Sequence, residues 1–304
     1  MTRLSRNDWL SLCSKPPVIL DGAWGSLLQQ RGLQAGTAPE SWNLSHPDEV
    51  LAAGEAYVQA GSQIILTNTF GGNRISLARH GLANKAAVIN RTGAELSRQA
   101  VDAGPSRQAA GSDALVFGSI GPTGAMLMMG EVTAAQMGAA FAEQAEALKE
   151  GGADGLVIET MSDLEEAVIA TRAAVSTGLP VVSCMVFDSG PNNGHTMMGI
   201  TPAQAAVALD DAGAWAVGAN CGRGPEDFLP LCHAFREATK LPLWMKPNAG
   251  LPEFENGKTV YRMTPAQFSG LLRPLWEQGG ATFVGGCCGT APEFIRAFAA
   301  NPSS

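Results

Sequence analysis

The sequence predicts a single (β/α)8 barrel, and three observations carry that expectation. A helix end, a glycine and a short apolar run recur in that order. Gln59-Ala-Gly-Ser-Gln leads into Ile64-Ile-Leu-Thr, Glu150-Gly-Gly-Ala-Asp into Gly155-Leu-Val-Ile, Asp211-Ala-Gly-Ala into Trp215-Ala-Val-Gly, and Gln278-Gly-Gly-Ala into Thr282-Phe-Val-Gly. Glycine at a helix end takes the left-handed conformation that releases the chain into a strand. Proline precedes three further apolar runs, Pro17 before Val18, Pro180 before Val181 and Pro242 before Leu243, as suits the first residue of a strand. Finally, the runs are short and lack strict alternation, the pattern of parallel strands covered on both faces.

Taken in order, the predicted strands are 18–21, 63–69, 114–120, 155–160, 181–187, 216–221, 243–248 and 281–287. Helices are predicted over 47–60, 133–150, 164–177, 202–212, 225–239 and 265–278. Three of them open on proline, at His46-Pro47, Thr201-Pro202 and Thr264-Pro265, where the missing N–H costs nothing. Eight strand–helix units in 304 residues fit one barrel domain, 1–304, with its core over about 16–298. A doubly wound open sheet is the alternative, and the lack of Gly-x-Gly-x-x-Gly after the first strand weighs against its dinucleotide-binding form.

Composition narrows the function. The formal charge is −8 and lysine and arginine are scattered, which argues against a nucleic-acid surface. No apolar run approaches the roughly 18 residues of a membrane span, and the first residues have no apolar signal core. The chain therefore reads as cytoplasmic. In that reducing compartment, clustered members of its six cysteines point to metal or catalysis before disulfides.

Polar residues gather where the strands end: Asp21, Asn68, Ser119, Glu159, Asn220-Cys221, Lys246, Asn248 and Cys287-Cys288. A barrel of this class carries its active site at that face, and a dry core would penalise such groups. Cys287 and Cys288, framed by Gly285-Gly286 and Gly289, can turn both sulfurs to one point. Cys221 lies one strand beyond the intervening seventh. Three thiolates with one open position describe a catalytic zinc site, against the plain alternative that cysteine is a good small core residue. Cys13, Cys184 and Cys232 take that plain alternative. Asp21 and Glu159 suit either acid–base work or binding of a substrate ammonium. Gly22 and Ala23 offer backbone N–H groups to a substrate carboxylate. The loop from Gly118 to Gly124 is glycine-rich but lacks the Gly-Lys-Ser/Thr of a phosphate loop. The four histidines, His46, His80, His195 and His233, read as surface or structural. Met126, Met128, Met129, Met197 and Met198 read as adaptable packing, with the floor of an apolar cofactor pocket as the sharper alternative.

Together, Asp21-Gly-Ala-Trp-Gly, Thr67-Asn-Thr-Phe, Gly118-Ser-Ile-Gly-Pro-Thr-Gly, Glu159-Thr-Met, Gly218-Ala-Asn-Cys, Pro247-Asn-Ala-Gly and Gly285-Gly-Cys-Cys-Gly resemble the homocysteine S-methyltransferase family, in order and over nearly the whole chain. The resemblance implies a barrel with zinc on Cys221, Cys287 and Cys288, and homocysteine held by its amino group on Asp21 and Glu159. It also implies methyl transfer to the zinc-activated substrate thiolate, with no catalytic side chain beyond it. Asn68, Ser119 and Asn248 complete the expected substrate site. Asn248, between both cysteine strands, is the candidate weak oxygen ligand when substrate is absent. The methyl donor is expected to be a small sulfonium or ammonium compound, or a methylcorrinoid on a separate protein, since the sequence carries no Asp-x-His-x-x-Gly corrinoid motif. A different thiol acceptor is the alternative. A zinc hydrolase would want histidine or carboxylate ligands and a base, and a closed carrier site would want a fourth strong ligand.

Overall fold

The computed structural model describes residues 4–104, 114–255 and 258–300. Eight parallel strands form a barrel: β1 (Val18–Ile19), β2 (Ile64–Leu66), β3 (Leu115–Ile120), β4 (Gly155–Met161), β5 (Val181–Met185), β6 (Ala216–Cys221), β7 (Leu243–Pro247) and, last in the chain, β10 (Phe283–Val284). Between β7 and β10 lies a small antiparallel hairpin, β8 (Glu253–Glu255) with β9 (Lys258–Val260). The barrel order is β1-β10-β7-β6-β5-β4-β3-β2. A parallel bridge between Leu20 and Ile64 closes it.

Helices wrap this sheet: α1 (Arg6–Cys13), α2 (Trp24–Gln30), α3 (Trp42–Ser45), α4 (Pro47–Ala60), α5 (Arg74–Ala78), α6 (Ala86–Ala103), α7 (Ala134–Glu150), α8 (Leu164–Val175), α9 (Pro202–Asp211), α10 (Phe228–Ala238), α11 (Pro265–Glu277) and α12 (Pro292–Ala299). Their starts are written locally. Thr133, Thr201 and Thr264 each form a reciprocal capping box with the glutamine three residues on, satisfying N–H groups the helix leaves open. At its other end α4 stops on Gly61, at φ 102°. Among the described residues, no helix is long and apolar enough to cross a membrane.

The predicted strands are all present, most of them shorter than expected. The run 281–287 contracts to Phe283–Val284, because the chain leaves regular strand geometry at Gly285. A Cβ there would lie 2.7 Å from the Asp21 carbonyl. The helix expected over 225–239 begins as a 3-10 turn, Pro225–Asp227, before α10. Helix α6 lies outside the predicted set: its buried face carries Asn90, Gly93, Ser97 and several alanines, which mask an apolar stripe.

Inside the barrel the packing is aromatic. Trp244 of β7 lies 5.2 Å from Phe283 of β10 and 5.9 Å from Phe117 of β3, measured between ring centroids. Helix α1 delivers Trp9 to the same group, 5.0 Å from Phe283 and 6.0 Å from Trp215. Strands β6 and β7 approach so closely that a Cβ on Gly218 would stand 1.9 Å from the Trp244 carbonyl. Trp9 is 1% exposed, so Trp9→Ala should cost about 3–5 kcal/mol of unfolding free energy in a denaturant titration. A loss below about 1 kcal/mol would show that α1 merely covers the barrel end.

Candidate metal and thiol site

The three strand-end cysteines meet at one point. Sγ of Cys221 lies 3.1 Å from that of Cys287 and 3.9 Å from that of Cys288. All three sulfurs fall within 4.8 Å of one another, the group that could hold a metal ion among the described residues. Cys13, Cys184 and Cys232 stand outside it.

Backbone geometry creates the convergence. Cys221 ends β6 at φ 61°, a left-handed conformation unusual for a residue with a side chain. The Asn248 N–H donates to the Cys221 carbonyl at 3.2 Å, and the Asn248 Nδ2 to the Gly222 carbonyl at 2.6 Å. Across β7, the Cys287 N–H donates to the Pro247 carbonyl at 2.7 Å, and the Thr290 hydroxyl to the Cys287 carbonyl at 2.7 Å. Gly289, at φ 81°, then turns the chain; a Cβ there would stand 2.3 Å from the Tyr261 ring.

Behind the sulfurs stand Asn220, which the sequence placed only in the strand-end polar set, and two residues to which it assigned no role, Thr160 and Tyr261. Asn220 Oδ1 accepts from the Thr160 N–H at 2.6 Å, and its Nδ2 donates to the Thr160 hydroxyl at 2.6 Å and lies 3.8 Å from Cys287 Sγ. Thr160 also has a positive φ, 61°. Tyr261, just after the hairpin, stands close enough to Cys288 for each to shift the other's titration. No local sequence signal marks it, because the contact depends on the chain folding back.

Electrostatically the trio behaves as one thiolate held by two thiols. Hydrogen bonds from Cys221 and then Cys287 pull Cys288 down to about 3. Cys221 is pushed well above the usual thiol range, first by its bonds to Cys287 and Cys288 and then by burial. A metal ion would displace the remaining protons. The donor set fits a soft or borderline cation. One more group points the same way: Asn248 Oδ1 is buried without a hydrogen-bond partner, while its amide nitrogen is fixed on Gly222.

A cavity of about 240 Å3 opens beside the sulfurs; Gly22, Ala23, Asn68, Ser119 and Glu159 line it, and so does Lys246. The structure gathers these expected substrate residues but treats them differently. Asn68 is committed to the Pro39 carbonyl at 2.8 Å and Asn43 Oδ1 at 2.9 Å. The Ala23 N–H donates to the Thr290 carbonyl at 3.1 Å. Glu159 accepts a hydrogen bond from the Ser119 hydroxyl. Burial raises its pKa to about 7, with Cys287 and Asp21 adding to the rise and Lys246 and Ser119 opposing it.

Asp21 is fully buried and lies behind the lining. Its Oδ2 accepts from the Trp24 indole at 2.8 Å and the Leu66 N–H at 2.7 Å, and its Oδ1 from Lys246 Nζ at 2.5 Å. Asn248 is outside the lining as well. The methionines expected in packing or a pocket floor are exposed on loops after β3 and β5, and none lines the cavity.

With this geometry in view, likeness to known proteins gains a physical meaning. A profile of the homocysteine S-methyltransferase family matches residues 18–301. The chain belongs to the homocysteine S-methyltransferase family. Within the family, it is 30% identical to methionine synthase from Mycobacterium tuberculosis (strain ATCC 25618 / H37Rv) over 310 aligned positions, covering 96% of this chain and 25% of that protein. Methionine synthase from Mycobacterium leprae (strain TN) is 28% identical, again with 96% and 25% covered. The chain thus spans about a quarter of the length of these relatives. The metallated form of the homocysteine methyltransferase MmuM from Escherichia coli superposes with a TM-score of 0.80 at 25% identity, covering 96% of this chain and 98% of MmuM.

Glu159 gives this family member a pH signature. Its carboxyl rises from 4.5 to about 7 on folding. The stability it contributes is therefore complete below about pH 4.5 and lost as pH rises through 7. Between about pH 5 and 8, metal-free wild type should lose up to about 3 kcal/mol relative to Glu159→Gln. Denaturant unfolding of both proteins across that range checks this. A constant difference would mean that Glu159 ionises as freely in the fold as in the unfolded chain.

Proposed function

We propose that this chain is a zinc-dependent homocysteine S-methyltransferase that methylates the substrate sulfur to give methionine. The observation that carries the reading is the convergence of Cys221, Cys287 and Cys288 beside a cavity that also holds Glu159. In this reading the three cysteines hold zinc, and Asn248 Oδ1 completes the set while substrate is absent. Zinc bound there would stabilise an incoming thiol as its thiolate at neutral pH, where a free thiol with a pKa near ~8.5 is mostly protonated.

The chain's own residues then bind and orient. Asn220 holds Cys287 by a hydrogen bond from its amide, and Tyr261 stands beside Cys288, as outer partners commonly do for ligands. Glu159, positioned by Ser119, accepts the substrate ammonium. Trp24, Leu66 and Phe70 give the cavity an apolar wall that limits water at the reacting sulfur. No side chain needs to move a proton at the methyl group, so the contribution of the site is alignment of sulfur and methyl. The donor would be a small sulfonium or ammonium compound, or a methylcorrinoid on a separate protein. Methionine formation with S-methylmethionine, betaine, methylcobalamin and a methylated corrinoid protein would identify it, and no methionine with any of them would count against homocysteine as acceptor.

Zinc should bind at about one equivalent per chain. Cys221→Ser, Cys287→Ser and Cys288→Ser should each lose it, whereas Cys13→Ser, Cys184→Ser and Cys232→Ser should keep it. Metal analysis of the folded variants checks this, and full retention in any two of the first three would sink the assignment. Homocysteine binding should release about one proton at neutral pH, measured by calorimetry in buffers of different ionisation enthalpy. Glu159→Gln should weaken homocysteine about tenfold or more and leave a simple thiol without an amine nearly unchanged. Equal weakening of both thiols would assign Glu159 to the fold.

A further inference from the structure

Regular pairing in β10 ends at Val284, so the turn that carries Cys287 and Cys288 needs anchors of its own. Some are backbone bonds: the Cys287 N–H donates to the Pro247 carbonyl at 2.7 Å, and the Ala249 N–H to the Cys288 carbonyl at 2.9 Å. Thr290 adds two more, both at one atom. Its N–H donates to the Cys287 carbonyl at 3.1 Å, and its hydroxyl to the same oxygen at 2.7 Å. Thr290 is 1% exposed, so water does not compete for that carbonyl through it.

The other side of Thr290 faces the loop that follows β1. Its carbonyl accepts from the Ala23 N–H at 3.1 Å. The buried Tyr57 hydroxyl spans the same two residues: it donates to the Ala23 carbonyl at 2.8 Å and lies 3.4 Å from the Thr290 carbonyl. Beside them the Gly286 N–H donates to the Asp21 carbonyl at 3.0 Å. The Thr290 hydroxyl is wedged where the two stretches meet. A Cβ on Gly22 would stand 2.7 Å from its Oγ1, and a Cβ on Gly286 would stand 2.4 Å from it. Glycine at 22 and 286 therefore has a steric reason, one from each stretch: together they leave room for this hydroxyl.

Three sulfurs within 4.8 Å of one another repel as they lose their protons. A turn free to relax would let them part, and re-ordering it would then subtract from the free energy of metal binding. We infer that Thr290 is a positioning residue for metal capture: its hydroxyl holds the Cys287–Cys288 turn in ligating shape before an ion arrives and locks that turn to the loop after β1. This rests on the reading proposed above, in which the trio holds zinc. Thr290 is absent from the cavity lining and acts through the Cys287 carbonyl, so its effect falls on the metal and not on contact with a substrate.

The zinc Kd of the reduced full chain, measured by competition with a chromophoric chelator, tests the inference beside denaturant unfolding of the same proteins without metal. Thr290→Ser keeps the hydroxyl and should bind zinc within about threefold of wild type. Thr290→Ala removes it and should bind zinc about tenfold or more weakly. Gly22→Ala presses on the same hydroxyl from the facing loop. It should weaken zinc in the wild-type background and add little to the loss in Thr290→Ala. A zinc Kd unchanged in Thr290→Ala, with only the metal-free stability lowered, overturns the inference and leaves the zinc assignment intact. Equal weakening in the serine and alanine variants overturns it too, because the hydroxyl is then not the reason. If Thr290→Ala does not fold, Gly22→Ala decides, and wild-type zinc affinity in that variant counts against the wedge. Wild type that binds no zinc overturns the assignment of the trio and this inference with it.

Discussion

The carboxylate of Asp21, buried where β1 breaks off after two residues, accepts hydrogen bonds from the Leu66 N–H, the Trp24 indole and Lys246 Nζ, and the mouth of the barrel is arranged around that group. Leu66 ends β2, so the side chain supplies a rung that the β1 backbone does not provide beyond the Leu20–Ile64 bridge. Trp24 opens α2 and forms part of the apolar wall. Lys246 stands on β7, between the two cysteine strands. One buried anion thus joins the closing seam of the sheet, the wall of the cavity and the strand that spaces the sulfurs. Its burial is tolerable because both oxygens are paired, and removing a single partner would leave an uncompensated charge.

Much of this was legible in the sequence because it follows local rules. Glycine after a helix, proline before a strand and proline at a helix start are short-range signals, and the elements they mark are where they were expected. The convergence of Cys221 with Cys287 and Cys288 was legible for a different reason: barrel connectivity puts one strand between them, and glycines flank the vicinal pair. The roles of Tyr261 and Thr160 were not legible. Tyr261 meets Cys288 only because the chain returns after a hairpin, and Thr160 is fixed by an asparagine 60 residues away. The commitment of Asp21 to Lys246 joins residues 225 apart, and motif reading treats each strand end as independent of the others.

Strain and support are paired at the site. Thr160 and Cys221 both adopt left-handed backbone conformations near the ends of β4 and β6. Non-glycine residues hold such conformations only where their surroundings over-determine them. Asn220 does this for Thr160 through two hydrogen bonds of 2.6 Å, and Asn248 does it for Cys221 through the bonds to its carbonyl and to that of Gly222. Both asparagines sit at strand ends, so rigidity comes from the sheet and not from the loops that cover it.

The sulfur trio is divided between β6 and β10, which are 66 residues apart in the chain and are brought together by β7. During synthesis, two of the three donors emerge only with the last strand of the barrel. Before then a nascent chain has a single strand-end cysteine at this place and cannot assemble the full donor set. Capture of an ion would therefore register that the last barrel strand has been made and the sheet has closed. Its binding free energy would add to the stability of the closed form alone, in proportion to RT ln(1 + [M]/Kd). In a cell short of the ion, the same linkage would lower the population of the finished barrel as well as the loading of its site.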